Sequence, residues 1–177
     1  TKELVDLYLQ SNCKSICIVA SGSSSNGSTA AKDFMRRYLG VSVEIMPPFT
    51  FTHYNHDLVE NSFTVVVSQS GISTNCIDAL KKLRELGKTA IGITANVKND
   101  FKDYADIEID YGVVEEKEPY VTKGVTLLAV FFMLFSAKNV LVLLTLYCEA
   151  YAGVIRLVLI ELVVLAGEYC IQDNTGQ

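Results

Sequence analysis

A chain of 177 residues is long enough to bury one full core and short for two, so a single core domain is expected. Half of the residues are hydrophobic and only 3 are proline, which excludes a disordered chain. The net charge of −5 excludes nucleic acid as the expected partner, because phosphate-backbone affinity rests on Lys and Arg neutralising phosphates.

Leu4, Val5, Leu7, Tyr8 and Leu9 predict an opening amphipathic helix that ends near Ser11 and Asn12. SICIVA, Ser15 to Ala20, predicts the first buried strand, and SGSSSNGS follows it as a loop. Thr29 to Tyr38 reads as a helix stopped by Gly40. VSVEI, Val41 to Ile45, alternates as a second strand until Pro47 and Pro48 break the pattern. FTVVV, Phe63 to Val67, is the third strand. It ends abruptly in SQSGIST, with a helix expected from about Asn75 to Leu86 and Gly87 just past its end. TAIGIT, Thr89 to Thr94, predicts a fourth strand, and Ile107 to Ile109 a fifth.

Strands that alternate with helices, several of them continuous apolar runs, imply a parallel sheet covered on both faces. The expected fold is an α/β three-layer α/β/α sandwich around a five-stranded parallel sheet of flavodoxin-like order, with extra C-terminal helices. A core domain over 1–138 and a helical extension over 139–177 are expected. After EEKEPYVTKG comes a long apolar stretch, Val125 to Ala166, interrupted by Ser136 to Asn139, Glu149, Arg156 and Glu161. Its clean runs fall short of the roughly 20 apolar residues of a membrane span, so helices at a subunit or domain interface are expected and a membrane is not.

The cysteines, Cys13, Cys17, Cys76, Cys148 and Cys170, form no CxxC pair and have no His at metal-ligand spacing. They read as buried free thiols in a reducing compartment. The amino-terminal TKELVDLYLQSN has no signal-peptide core, so a cytoplasmic location is expected, with no metal and no cofactor.

In an open doubly wound sheet, ligands bind beyond the carboxyl ends of the strands where strand order reverses. With order 2-1-3-4-5 that crevice lies between the first and third strands, the two that end in SGSSSNGS and SQSGIST. Each loop leads into a helix whose first N–H groups are unpaired and partly positive. Small residues admit an anion and serine hydroxyls donate to its oxygens, so the pair reads as a phosphate cradle. The competing reading is that Ser24, Ser68, Ser70 and Ser73 only cap helices. Neither loop is GxGxxG or ends in GK[ST], which argues against dinucleotides and nucleoside triphosphates.

At these residues the chain resembles the SIS (sugar isomerase) domain family, specifically the isomerase half of glucosamine-6-phosphate synthase and the fructosamine-6-phosphate deglycases. The match runs from about Ile16 to Phe135, through SGSS, then SQSG, then EEKEPYVTKG opening a long apolar helix. The resemblance implies phosphate binding by Ser23, Ser24, Ser68, Gln69, Ser70 and Ser73. It sets Gly22, Gly71, Thr74, Val97, Thr122 and Lys123 beside the substrate, a sugar phosphate of the hexose 6-phosphate type. Where the family often has an acidic residue after SQSG, this chain has Ile72. The subfamily carries two such domains in tandem, with the base glutamate and ring-opening histidine in or beside the second, and this chain has room for one. A homodimer or higher homo-oligomer that completes the site is expected.

Aldose–ketose isomerisation needs a base that moves a proton between C1 and C2 and acid help in opening the ring. The candidates are Glu115, Glu116, Glu118, His53 and His56, with Glu116 the one singled out as catalytic. The glutamate run also fits a solvated helix start, and the two histidines also fit a polar surface loop. A sugar-phosphate isomerase or deglycase is expected, and a non-catalytic sugar-phosphate sensor is the alternative.

Overall fold

The structure, a computed structural model, describes residues 1–57, 60–95, 99–113 and 122–173, and of residue 122 and residues 158–173 the backbone alone. The chain divides into two compact units, Thr1–Asn139 and Val140–Gln177.

In the first unit, strands β1 (Ser15–Ala20), β2 (Ser42–Met46), β3 (Phe63–Val67), β4 (Ile91–Thr94) and β5 (Ile107–Asp110) form one sheet of order β2-β1-β3-β4-β5. Every neighbouring pair is parallel. All five residues of β3 are buried, as a central strand covered on both faces requires. Strand alternation divides the core in two. Cys17, Val19 and Val66 face a cluster completed by Cys76, Leu80 and Leu83 of α4 (Thr74–Glu85), by Phe51, and by Phe101 of the short α5 (Phe101–Tyr104).

The other face takes α1 (Lys2–Ser11), α2 (Gly22–Leu39) and the start of α6 (Thr122–Asp173). Tyr8 of α1 meets the rings of Phe63 and Phe135 edge-on at 5.4 and 5.5 Å. Leu128, Phe132 and Phe135 of α6 are at most 1% exposed, and each such burial contributes about 1.5–3 kcal/mol. Helices on both faces of an all-parallel sheet make the expected three-layer sandwich.

Several local expectations are corrected. SGSSSNGS is not a loop but the opening turns of α2, which starts at Gly22 directly after β1. Ser28 is accommodated there because its Oγ donates to the Ser24 carbonyl at 2.8 Å. FTFTHYNHD is not a plain surface loop. Pro48–Thr50 form a short helix, α3, that continues as a π-helical turn over Phe51–Asn55 and buries Phe51 completely. Thr89 and Ala90 stay outside β4, since the Ala90 N–H donates to Asp106 Oδ2 at 2.8 Å instead of to a strand.

The extra C-terminal helices are one helix, α6, of 52 residues. Ser136 and Asn139 do not break it, because their side chains donate to the carbonyls of Phe132 and Phe135, four residues back, at 2.9 and 2.8 Å. Over Lys123–Leu157 it is long and apolar enough to cross a membrane by length and composition, where the sequence alone predicts no such span. Residues 140–157 of the second unit are nearly all exposed. Cys17 and Cys76 are buried free thiols, whereas Cys13 is half-buried and Cys148 exposed, against expectation, since Cys148 lies in the exposed stretch 143–157 of α6. The Cys170 side chain lies outside the described residues.

Candidate functional site

In a parallel sheet all strands end on the same side, and here the order reverses between β1 and β3. Ala20 pairs with Val67, each the last residue of its strand, so Ser21 and Ser68 leave the sheet side by side. α2 begins at Gly22 and α4 at Thr74, so two helix starts flank the reversal.

The second turn is held from within. Ser68 is buried; its N–H donates to the Ile93 carbonyl at 3.0 Å and its Oγ accepts from the Gly71 N–H at 3.2 Å. A hydroxyl engaged only as an acceptor keeps its own proton available to a ligand. Gly71 has φ +68, and a Cβ there would stand 2.2 Å from the Asn99 side chain, so both backbone conformation and space demand glycine. Asn99 is buried, donates from Nδ2 to Thr94 Oγ1 at 3.1 Å and accepts the Phe101 N–H at 2.7 Å. Thr94 in turn donates to the Gln69 carbonyl at 3.2 Å, and Ala95 N–H donates to the same oxygen at 3.1 Å.

The third motif meets this turn. A Cβ at Gly124 would lie 2.4 Å from Gln69 Oε1, so the Gln69 amide rests directly on the first turn of α6. Gly27 of α2 makes a similar approach, its hypothetical Cβ falling 2.8 Å from the Val125 carbonyl oxygen and 3.2 Å from Leu128. SGSSSNG, SQSG and the TKG of α6 are thereby gathered around one end of the sheet.

The serines that stand where helix caps would be are not capping. Ser21 before α2 and Ser73 before α4 make no side-chain cap hydrogen bond, and the Ser73 hydroxyl instead pairs with the Cys76 thiol. Of the four serines in the capping reading, Ser73 makes no cap bond, whereas Ser68 and Ser70 each accept a backbone N–H within their own turn. Ser70 is exposed and accepts from the Ile72 N–H at 3.5 Å, a long and therefore weak bond.

Of the other expected residues, Ser23 is half-buried and Ser24 buried in the first turn of α2, Gly22 is exposed with φ +56, and Thr74 and Lys123 are exposed. Thr122 is the first residue of α6. Val97, Glu115, Glu116 and Glu118 lie outside the described residues. His53 is exposed with its ring 4.5 Å from that of Phe49, and His56 is half-buried; both follow β2, at the sheet edge. Among the described residues no group of three or more His, Cys, Asp or Glu could hold a metal ion. Cys76, beneath the start of α4, donates to the Val67 carbonyl at 3.7 Å, and burial pushes its thiol pKa up.

Asn99 and Thr94 were not expected at the site. Asn99 follows the fourth strand by a few residues, in the loop where the resemblance singles out Val97 and not Asn99. Its one local signal is the amide, which suits a side-chain-to-backbone turn at Phe101.

A model of the SIS domain family matches residues 10–137, and the chain belongs to that family. Over 135 residues it is 27% identical to the glutamine–fructose-6-phosphate aminotransferase (isomerizing) of Francisella tularensis, covering 71% of this chain and 22% of that protein. The solved C-terminal domain of glucosamine-fructose-6-phosphate aminotransferase from Francisella tularensis is 26% identical with a TM-score of 0.63, over 78% of this chain and 39% of that one. A glucosamine-6-phosphate deaminase from Thermotoga maritima shares the fold at 19% identity and a TM-score of 0.62, over 78% of this chain and 46% of that one. The chain thus spans about a fifth of the curated relative and less than half of either solved chain.

Proposed function

We propose that the crevice between β1 and β3 binds a sugar phosphate of the hexose 6-phosphate type, and that the chain acts as a phosphosugar isomerase or deglycase domain. The observation that carries the reading is the side-by-side exit of Ser21 and Ser68 at the strand reversal, with Ser21 and Ser73 leaving their helices uncapped. Backbone N–H groups at two helix starts, with Ser23, Ser24, Ser68, Ser70 and Ser73 as hydroxyl donors, suit the tetrahedral oxyanion of a phosphate ester. Gln69, braced on Gly124, joins these residues in holding the phosphate in this reading. The relatives' names, a fructose-6-phosphate aminotransferase and a glucosamine-6-phosphate deaminase, support a hexose 6-phosphate as substrate. Glu116 is the proposed base for proton transfer between C1 and C2. In this reading the protein works in the cytoplasm as a homodimer; the free thiols among the described residues support a reducing compartment.

Calorimetric titration with fructose 6-phosphate, glucosamine 6-phosphate and plain fructose tests it. Binding of the phosphates but not of fructose is expected, and no binding by the folded chain would refute the cradle. Exchange of the C2 proton with solvent, followed by NMR, then separates the enzyme from a sensor that binds without turnover.

A further inference from the structure

Over residues 140–157 α6 carries apolar residues around its whole circumference, with Glu149 and Arg156 its charged residues, the pattern of a helix meant to be covered on several sides. Leu141, Leu143, Leu144, Leu146, Tyr147 and Val154 are each more than half exposed. The exceptions to this apolar surface are ordered. Glu149 and Arg156 stand seven residues apart on one face, about 10 Å along the axis and too far to pair with each other. Among the described residues neither has an ion-pair partner.

Ala152 and Gly153 lie on that same face, three and four residues beyond Glu149. Gly153 has no explanation within its own chain. Glycine weakens a helix interior, and a Cβ added here would meet nothing within 4 Å. A close-approaching backbone from outside would account for it.

We propose that residues 140–157 pair with the same segment of a second copy, antiparallel, crossing at Ala152 and Gly153. The two charges are equidistant from the Ala152–Gly153 junction. A twofold crossing there sets Glu149 of each copy against Arg156 of the other, two ion pairs in one self-complementary contact. The small residues at the centre let the backbones approach, and the apolar flanks are covered together. A parallel pair in register would oppose like charges, and a bilayer would draw Glu149 and Arg156 into hydrocarbon, which is costly for unpaired charge. The charge pattern therefore favours the antiparallel copy. This contact does not depend on the sugar-phosphate reading.

Disulfide trapping of the full chain tests it. Ala152→Cys treated with oxidised glutathione is expected to give a covalent dimer, since two such cysteines flank the crossing. The wild-type chain, whose exposed Cys148 lies away from the crossing, is expected to give none. Adding Glu149→Arg to Ala152→Cys should slow trapping by about tenfold or more, and adding Arg156→Glu as well should restore it. That rescue distinguishes charge pairing from misfolding. Failure of Ala152→Cys to cross-link overturns the proposal, as does a rate that ignores charge reversal. Dimerisation of the wild type through Cys148 would overturn the antiparallel register. Flotation of the chain with phosphatidylcholine vesicles, with loss of trapping, would assign the segment to a membrane instead.

Discussion

The Gln69 side chain rests on Gly124 so closely that a Cβ at Gly124 would stand 2.4 Å from its Oε1. This approach ties the turn after β3 to the first turn of α6. Gly124→Ala should push the Gln69 amide away, because the far end of a flexible side chain yields more readily than a helix backbone. Stability should change little, since alanine also favours the helix by about 1 kcal/mol. Affinity for glucosamine 6-phosphate should fall by about 1 kcal/mol or more, the net value of a hydrogen bond. Calorimetry and a thermal melt on the same variant read the two effects separately. Unchanged affinity would remove Gln69 from the site.

Ser70 is exposed, and its one bond, from the Ile72 N–H, is long at 3.5 Å. Little in the fold depends on its hydroxyl. Ser70→Ala should leave the melting temperature where it is and weaken sugar-phosphate binding by about 1–3 kcal/mol, the range for losing a hydrogen bond to a charged group. A folded variant that binds as tightly as the wild type would show that this serine faces away from the phosphate.

Asn99 presents the opposite balance. Its side chain is buried and satisfies both Thr94 Oγ1 and the Phe101 N–H while filling the space beside Gly71. Asn99→Ala should destabilise the fold by about 1–3 kcal/mol through the unpaired Phe101 N–H, and more if the space stays empty. Urea denaturation would measure it. Ligand binding should weaken too, because Thr94, which loses its Asn99 partner, holds the Gln69 carbonyl. A variant as stable as the wild type would show that water replaces the amide at no cost.

The sheet was legible because its signal is local: apolar, β-branched runs such as FTVVV require cover on both faces, and five of them at helix-length spacing leave few topologies. SQSG was legible as a site for the same reason, an abrupt change from apolar to hydroxyl at the end of a strand. The start of α2 was not, since serine and glycine favour loops intrinsically, and the close packing of Gly27 on Val125 and Leu128 is a contact between distant residues that the local sequence does not carry. Asn99 was hidden because its role depends on contact with Gly71, a distant residue in sequence. The continuity of α6 was hidden by Ser136 and Asn139, whose polarity suggests a break until their bonds to the preceding turn are seen.

Asp106 links three elements, accepting from the Ala90 N–H ahead of β4 at 2.8 Å and from Arg84 Nε in the last turn of α4 at 2.9 Å. The Ala90 N–H, and then the Arg84 guanidinium, hold its carboxyl below the usual aspartate value. A depressed carboxylate contributes stability that is fully present above the unfolded value of about 3.9 and is lost as pH falls through the lower folded value. Asp106→Asn keeps the shape and removes that titration. The variant should melt below the wild type at about pH 7, and the gap should close as the pH falls from the unfolded value through the lower folded one. The side chain is 41% exposed, so solvent screens the pair and salt should narrow the same gap at neutral pH. A gap that stays constant from neutral to acid pH would mean that Asp106 acts by hydrogen-bond geometry alone, without its charge.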